Sequence, residues 1–120
     1  LHTEELEVLS TIDIQEENLE AVKAGMLSLT TDGSVSRFFQ DLPVQVGAKT
    51  GSAQVSVQTE SNAVFVCFAP YDDPEIAMAI VVEHGGSGSE LGAIAADILS
   101  YYFSSQETRE EVPLENTLIR

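Results

Sequence analysis

Residues 46–55 read Val-Gly-Ala-Lys-Thr-Gly-Ser-Ala-Gln-Val, a Lys49-Thr50-Gly51 triplet that leads into an alternating segment. Over residues 52–58, apolar residues alternate with polar ones, a pattern typical of a β-strand with one face exposed to water. The alternation predicts a strand over residues 52–58 with the triplet at its head. The side chains predicted to face the core are Ala53, Val55 and Val57.

The triplet and the serine that follows it carry groups suited to an anionic, peptide-like ligand. Lys49 is the only Lys or Arg over residues 38–108, so it provides a focused positive charge. The hydroxyls of Thr50 and Ser52 can hydrogen-bond to a carboxylate, and Gly51 lets a ligand backbone lie close to the strand. A ligand that pairs with a strand edge in this way binds by β-addition. We interpret the segment as a substrate-binding strand, and a solvated turn before an ordinary strand is the alternative.

Two further segments show the spacing of helices. Asp13 and Glu16 form a capping-box pattern before apolar residues at helical spacing, which predicts a helix over residues 14–30. Its apolar stripe comprises Ile14, Leu19, Val22, Met26 and Leu29. An Ala-rich segment after a Gly/Ser loop predicts a second helix over residues 90–104 that packs on the sheet. Its predicted stripe comprises Leu91, Ile94, Ile98 and Tyr101 or Tyr102.

Two apolar runs between turn residues predict the remaining strands, at about 63–69 and 75–83. Short turns join the three predicted strands, so we expect an antiparallel meander and an α+β fold. The apolar connector over residues 35–47 is expected to pack over the sheet. Residues 1–104 are expected to form one structural unit, and residues 105–120 a poorly ordered tail.

Composition excludes several classes of function. The net charge is −15, from 20 acidic and 5 basic residues, which argues against a nucleic-acid partner because nothing could neutralise the phosphates. No apolar run approaches the roughly 20 residues that span a bilayer. Cys67 is the only cysteine and is expected to be a buried structural thiol. His2 and His84 lie far apart without metal-ligand spacing, so we expect no metal and no cofactor.

The order of segments after the triplet resembles a known family. In chain order these segments are Ser52-Ala53-Gln54-Val55, Phe65-Val66-Cys67-Phe68-Ala69-Pro70, Asp73-Pro74-Glu75-Ile76-Ala77, Ile80-Val81-Val82-Glu83, a Gly/Ser loop and a helix ending Tyr101-Tyr102-Phe103. This order resembles the C-terminal part of the transpeptidase domain of penicillin-binding proteins, most closely the monofunctional class B type. Upstream, residues 22–26 look like the helix that precedes the motif strand in that family. The resemblance covers about residues 6–104.

The resemblance implies roles for the residues of the motif. Lys49 would lie beside the serine of the family's Ser-x-Asn motif, where it favours proton transfer and an anionic substrate. Thr50 and Ser52 would hold the substrate carboxylate, and Gly51 would permit close approach. The backbone N–H of Ser52 would be one of two donors of the oxyanion hole. Lys49 and Ser52 are therefore the expected catalytic residues, and residues 49–52 the substrate-binding set.

The other two motifs of the family are absent from this chain. Ser-x-x-Lys is missing because Glu20 and Val46 stand three residues before the two lysines. Ser-x-Asn is missing as well, because no asparagine has a serine two residues before it. The nucleophilic serine is therefore expected outside these 120 residues, and we expect the chain by itself to be inactive.

The resemblance implies a segment of a peptidoglycan D,D-transpeptidase. The implied partners are the peptidoglycan stem peptide, β-lactam antibiotics and the N-terminal part of the same domain, which supplies two further strands and a helix. An uncovered sheet edge or apolar face would also permit self-association. The implied location is the extracytoplasmic face of the bacterial cell membrane, although no signal or transmembrane segment is recognisable in the chain.

Two alternatives to the transpeptidase remain open. A β-lactam sensor or a serine β-lactamase shares the same fold and motif strand. A non-catalytic interaction module on that fold would lack the chemistry altogether. Ser-x-x-Lys and Ser-x-Asn motifs upstream of residue 1 would support the enzyme.

Overall fold

A computed structural model describes residues 7–111, with side chains through residue 106. In chain order the elements are α1 (Glu16–Thr31), β1 (Gly47–Ala53), β2 (Asn62–Ala69), β3 (Ile76–Val82) and α2 (Leu91–Glu111), with 3₁₀ turns at Ser36–Phe38 and Gly88–Glu90. The strands form one antiparallel sheet in the order β1-β2-β3. The predicted three-stranded meander and the α+β fold class are therefore confirmed.

The first strand lies about five residues earlier than the alternation predicts. β1 spans Gly47–Ala53, so the Lys-Thr-Gly triplet lies within the strand and not at its head. The pairing with β2 ends at Ala53, which is opposite Asn62, the first residue of β2. Residues 54–58 therefore have no strand to pair with, and the side chains of Val55 and Val57 are 74% and 91% exposed. The prediction of a strand over 52–58 with these valines in the core is wrong.

One face of the sheet carries the core. Phe65 at the centre of β2 is fully buried, and its ring stacks on that of Phe39 in the connector with centroids 6.2 Å apart. The predicted packing of the connector over the sheet is thus confirmed. α2 packs on this face over β2 and β3 and completes the core. The buried residues of the core are Val35, Phe39, Val46, Ala48, Ala63, Phe65, Cys67, Ala69, Leu91, Ala95, Ala96, Leu99 and Phe103.

The side of α2 that faces the sheet matches the predicted stripe only in part, since Leu91 is buried and Tyr102 packs against the core. Ala95, Leu99 and Phe103 are buried, whereas Ile94, Ile98 and Tyr101 are exposed. Ala95 and Ala96 on the buried side allow a close approach to the sheet, and Leu99 and Phe103 pack in the core beside them. The helix also continues to Glu111, beyond the predicted end at 104. The predicted tail of 105–120 is therefore helical at its start, and residues 112–120 lie outside the described part of the chain.

α1 is anchored at its C-terminal end. The buried hydroxyl of Thr30 donates to the carbonyl oxygen of Val46 at 2.6 Å, which ties the helix to the residue just before β1. The N-terminal half is less engaged, since Leu19 and Val22 of the predicted stripe are exposed. Gln15 occupies the N-cap position, and its side chain accepts from the Asn18 amide and caps no backbone N–H, so the predicted capping box does not form.

The opposite face of the sheet is apolar and only partly covered within residues 7–111, where Met26 of α1 lies beside Val66 and Phe68. The register places Val66 beside Ala79 and Val64 beside Val81 on this face. Val81 is 61% exposed and Val66 is 36% exposed, although both belong to strands rich in apolar residues. We call this surface the open face; its residues on β2 and β3 are Val64, Val66, Phe68, Ala77, Ala79 and Val81.

Two substitutions test whether the core lies at Phe65 of β2 or includes the valines of residues 54–58. Phe65→Ala is expected to lower the free energy of unfolding by about 3–5 kcal/mol, because it leaves a cavity between the sheet and the connector. Val57→Ala is expected to change it by less than about 0.5 kcal/mol, because Val57 lies in the exposed loop after β1. Urea-induced unfolding of both variants measures the difference. A large loss in Val57→Ala would show that residues 54–58 pack in the core after all.

Candidate functional site

β1 is an edge strand within residues 7–111, since it pairs with β2 on one side and with no described strand on the other. Strand alternation divides its motif residues between the two faces. Lys49 and Gly51 lie opposite Val66 and Val64 and so belong to the open face. Thr50 and Ser52 belong to the core face, where Thr50 is half-buried and Ser52 is exposed at the rim. The outer edge of the strand is the surface that all four residues share.

Lys49 brings the only charge to the open face of the sheet among the paired strand residues. Its side chain is exposed, and the ammonium group donates to the carbonyl oxygen of Thr50 at 2.6 Å. No carboxylate forms an ion pair with Lys49 in the described part of the chain, where the ion pairs are Lys23–Glu20 and Arg37–Glu90. The ammonium group is therefore accessible to an anionic ligand that approaches the edge of β1.

The two glycines of β1 are glycines for different reasons. A Cβ at Gly47 would collide with the ring of Phe68, so packing within the chain explains this residue. A Cβ at Gly51 would meet nothing closer than the Cβ of Val64 at 3.6 Å, an ordinary contact. The described fold does not need a glycine at position 51. That an absent side chain at this position leaves room for a ligand beside the strand stays a prediction from the sequence.

The loop after β3 packs against β1, the strand that carries the Lys-Thr-Gly triplet. The 3₁₀ turn Gly88–Glu90 begins at a buried glycine that touches the backbone of Gly51 and of Val64. The hydroxyl of Ser87 accepts a hydrogen bond from the N–H of Ser89 at 3.3 Å and caps the turn. Sequence reasoning identified this segment only as a glycine-rich break before a helix. No local pattern could reveal the contact with Gly51, because the two residues meet only through the sheet.

His84 and Cys67 stand apart from the motif residues. His84 has φ 55° and binds the 60–62 turn, with its N–H donating to the side-chain oxygen of Asn62 at 3.1 Å. Asn62 pairs with Ala53, the last residue of β1. His84 therefore lies near that end of the strand, away from the Lys49–Val66 pair. Cys67 is buried as predicted, and desolvation raises the pKa of its thiol to about 11, which keeps it protonated at neutral pH.

Comparison with known proteins supports one family. A family model described as "Penicillin binding protein transpeptidase domain" matches residues 3–100. The chain is 26% identical over 123 aligned residues to the peptidoglycan D,D-transpeptidase MrdA of Escherichia coli K12, an alignment that covers 89% of this chain and 19% of that protein. The chain therefore spans about a fifth of the length of the curated relatives it matches.

Two solved structures extend the similarity to the fold. The penicillin-binding protein PBP2 from Helicobacter pylori has 32% identity and a TM-score of 0.66, covering 75% of this chain and 17% of that chain. Pseudomonas aeruginosa PBP2 in complex with WCK 5153 has 26% identity and a TM-score of 0.65, covering 82% of this chain and 23% of that chain. Within residues 7–111, neither α1 nor α2 offers the apolar length that a bilayer crossing requires.

Proposed function

Because this chain belongs to the penicillin-binding protein transpeptidase domain family, we propose that it supplies the substrate-binding strand of a peptidoglycan D,D-transpeptidase. Such an enzyme cross-links stem peptides by acyl transfer through a serine ester. The observation that carries the proposal is the placement of Lys49. Its ammonium group has no carboxylate partner among the described residues and lies between the outer edge of β1 and the open face. A ligand on the edge and a catalytic partner on the face would both reach it.

The edge of β1 is proposed to bind the substrate backbone. Gly51 leaves space for the substrate, whose backbone would pair with the strand by β-addition. The hydroxyls of Thr50 and Ser52 would hold its carboxylate, with Lys49 contributing positive charge. The N–H of Ser52 would donate to the oxyanion that develops when the serine attacks. Both the stem peptide and a β-lactam present a carboxylate and a reactive carbonyl, so the same groups would bind either.

The nucleophile is proposed to lie on the rest of the transpeptidase domain, which would pack on the open face. This face is apolar apart from Lys49, and its uncovered valines would be removed from water by that packing. The arrangement would bring a serine from the other part of the domain beside Lys49. The free outer edge of β3 is a second surface through which the missing strands could pair. By analogy with the family, the domain would act at the extracytoplasmic face of the cell membrane.

A fluorescent penicillin tests the proposed function. We expect it to acylate the complete protein that carries this chain, with the label stable to boiling in detergent because it is held by a serine ester. The isolated 120-residue chain is expected to remain unlabelled, since it has no Ser-x-x-Lys motif. Labelling of the isolated chain would show that the nucleophile lies within it, contrary to the proposal.

The same assay separates the alternatives. A transpeptidase and a β-lactam sensor hold the label for a long time, and only the transpeptidase also joins two stem peptides with release of D-alanine. A serine β-lactamase hydrolyses the label within seconds to minutes. A non-catalytic module on this fold acquires no label in the complete protein. Absence of labelling in the complete, folded protein would therefore contradict the proposed function.

A further inference from the structure

The contact between the loop after β3 and the motif strand has a consequence for the geometry of the site. Gly88 is buried, and a Cβ added to it would lie 3.0 Å from the nitrogen of Gly51. That Cβ would lie closer still to the carbonyl oxygens of Gly51 and Val64. The turn therefore touches the backbones of β1 and β2 at the point where they pair, one residue from Ser52. Only a glycine allows that approach.

The connector contacts the turn and the start of α2. Arg37 in the connector forms an ion pair with Glu90 in the turn, with nitrogen and oxygen 3.4 Å apart. Two residues further, a Cβ at Gly92 would lie 2.9 Å from the ring of Phe38. The connector thus contacts this segment on one side and the sheet contacts it on the other. A side chain at Gly88 would clash with the backbones of β1 and β2.

We propose that the turn Gly88–Glu90 sets the position of Gly51 and Ser52 in β1, and that Gly88 is a positioning residue for the oxyanion donor. This inference rests on the proposed function, because it concerns the same strand. An edge strand is hydrogen-bonded on one side only, so its outer backbone groups need another support to keep a fixed position. An oxyanion hole requires that fixed position, since its donors act only when they are preorganised. The turn supplies the support from the core face, whereas the ligand would lie along the outer edge.

The test compares three glycine-to-alanine variants of the complete protein. Gly88→Ala is expected to lower the second-order rate constant of acylation by a fluorescent penicillin at least 10-fold. Gly92→Ala introduces a milder clash, 2.9 Å from the ring of Phe38, and does not touch β1. It controls for a clash introduced next to the turn, and we expect its rate to stay within 3-fold of the parent's. Gly25→Ala meets nothing within 4 Å and is expected to behave as the parent protein does.

Hydrogen exchange measured by mass spectrometry gives a second readout that does not depend on acylation. Gly88→Ala is expected to speed exchange in peptides covering Gly47–Ala53 and to leave β2–β3 pairing protected. Gly92→Ala is expected to leave β1 unchanged. If Gly88→Ala acylates as fast as Gly92→Ala with unchanged exchange in β1, the inference is overturned. If the parent protein is not acylated, the proposed function fails, and faster exchange confined to β1 still supports the positioning role.

A milder variant covers the case in which Gly88→Ala does not fold. Ser87→Ala removes the hydroxyl that caps the turn and leaves Gly88 in place. It is expected to slow acylation about 2- to 5-fold and to speed exchange in β1. Ser56→Ala is the matched control, because it removes a similar hydroxyl that accepts from the N–H of Gln58 in the exposed loop. Equal effects of the two serine variants would contradict the inference.

Discussion

Replacing Lys49 by alanine is expected to lower the rate constant of penicillin acylation of the complete protein by about 100-fold or more. Removing one electrostatic contribution to a preorganised site typically costs about 10²–10³ in rate. The ammonium group of Lys49 is the only charge that the paired strands bring to the open face, and it has no carboxylate partner within the described residues. Nothing else on β1 can replace it. Stopped-flow or gel-based acylation with a fluorescent penicillin measures the change.

The second lysine provides the control. Lys23 lies on α1, where it forms an ion pair with Glu20 at 3.1 Å and lies over the ring of Tyr71. Lys23→Ala changes the net charge by the same amount as Lys49→Ala and is expected to leave acylation within about 2-fold, because no motif residue contacts it. The free energy of unfolding of Lys49→Ala should change by less than about 0.5 kcal/mol, since the side chain is exposed. Equal losses of rate in both variants would mean that Lys49 acts only through net charge.

Replacing Ser52 by proline is expected to reduce acylation at least 100-fold more than replacing it by alanine. Proline removes the backbone N–H, the proposed oxyanion donor, and the loss of one such donor costs about 2.7–4 kcal/mol of transition-state stabilisation. Alanine keeps the N–H and removes only the hydroxyl. We expect about a 10-fold loss for Ser52→Ala, because a hydrogen bond to a charged group contributes about 1.5 kcal/mol. The ratio of the two rates isolates the backbone donor.

The position of Ser52 at a strand edge makes this comparison feasible. Proline is tolerated on edge strands where the missing N–H would point away from the sheet. Ser52→Pro should therefore keep the circular dichroism spectrum of the parent protein. If the variant unfolds, the N–H of Ser52 bonds to β2 and is not free to bind an oxyanion. If Ser52→Pro and Ser52→Ala are equally slow, the hydroxyl is the important group and the proposed donor is wrong.

Sequence patterns predicted the parts of the fold that depend on local signals, namely the central strand and the order of the meander. β2 is apolar on both faces from Ala63 to Ala69, and the structure assigns it the central position of the sheet. A central strand must present apolar residues to whatever covers each face, so its pattern is readable without knowledge of its partners. The meander also followed from local signals, because short turns leave neighbouring strands little choice but to pair.

Sequence patterns failed where the structure of a segment depended on the element that it packs against or pairs with. Residues 52–58 alternate as well as any strand, but β2 begins at Asn62 and its register leaves residues 54–58 unpaired. The true β1 contains Gly47 and Gly51, which strand propensity disfavours, and it forms because β2 offers it a hydrogen-bonding edge. α2 has apolar residues on two sides, and the choice of Leu99 over Ile98 depended on the shape of the sheet beneath the helix.

The sequence by itself indicated the family and supplied the chemical groups of the proposed site, because a Lys-Thr-Gly-Ser order depends only on neighbours in the chain. Only the tertiary structure decided where those groups lie: Lys49 with the open face, the hydroxyls at the opposite rim, and Gly88 against the backbone of Gly51. The physical reason is that residues 37 positions apart in sequence meet through strand pairing and close packing. Those interactions depend on the register and the shape of the whole sheet.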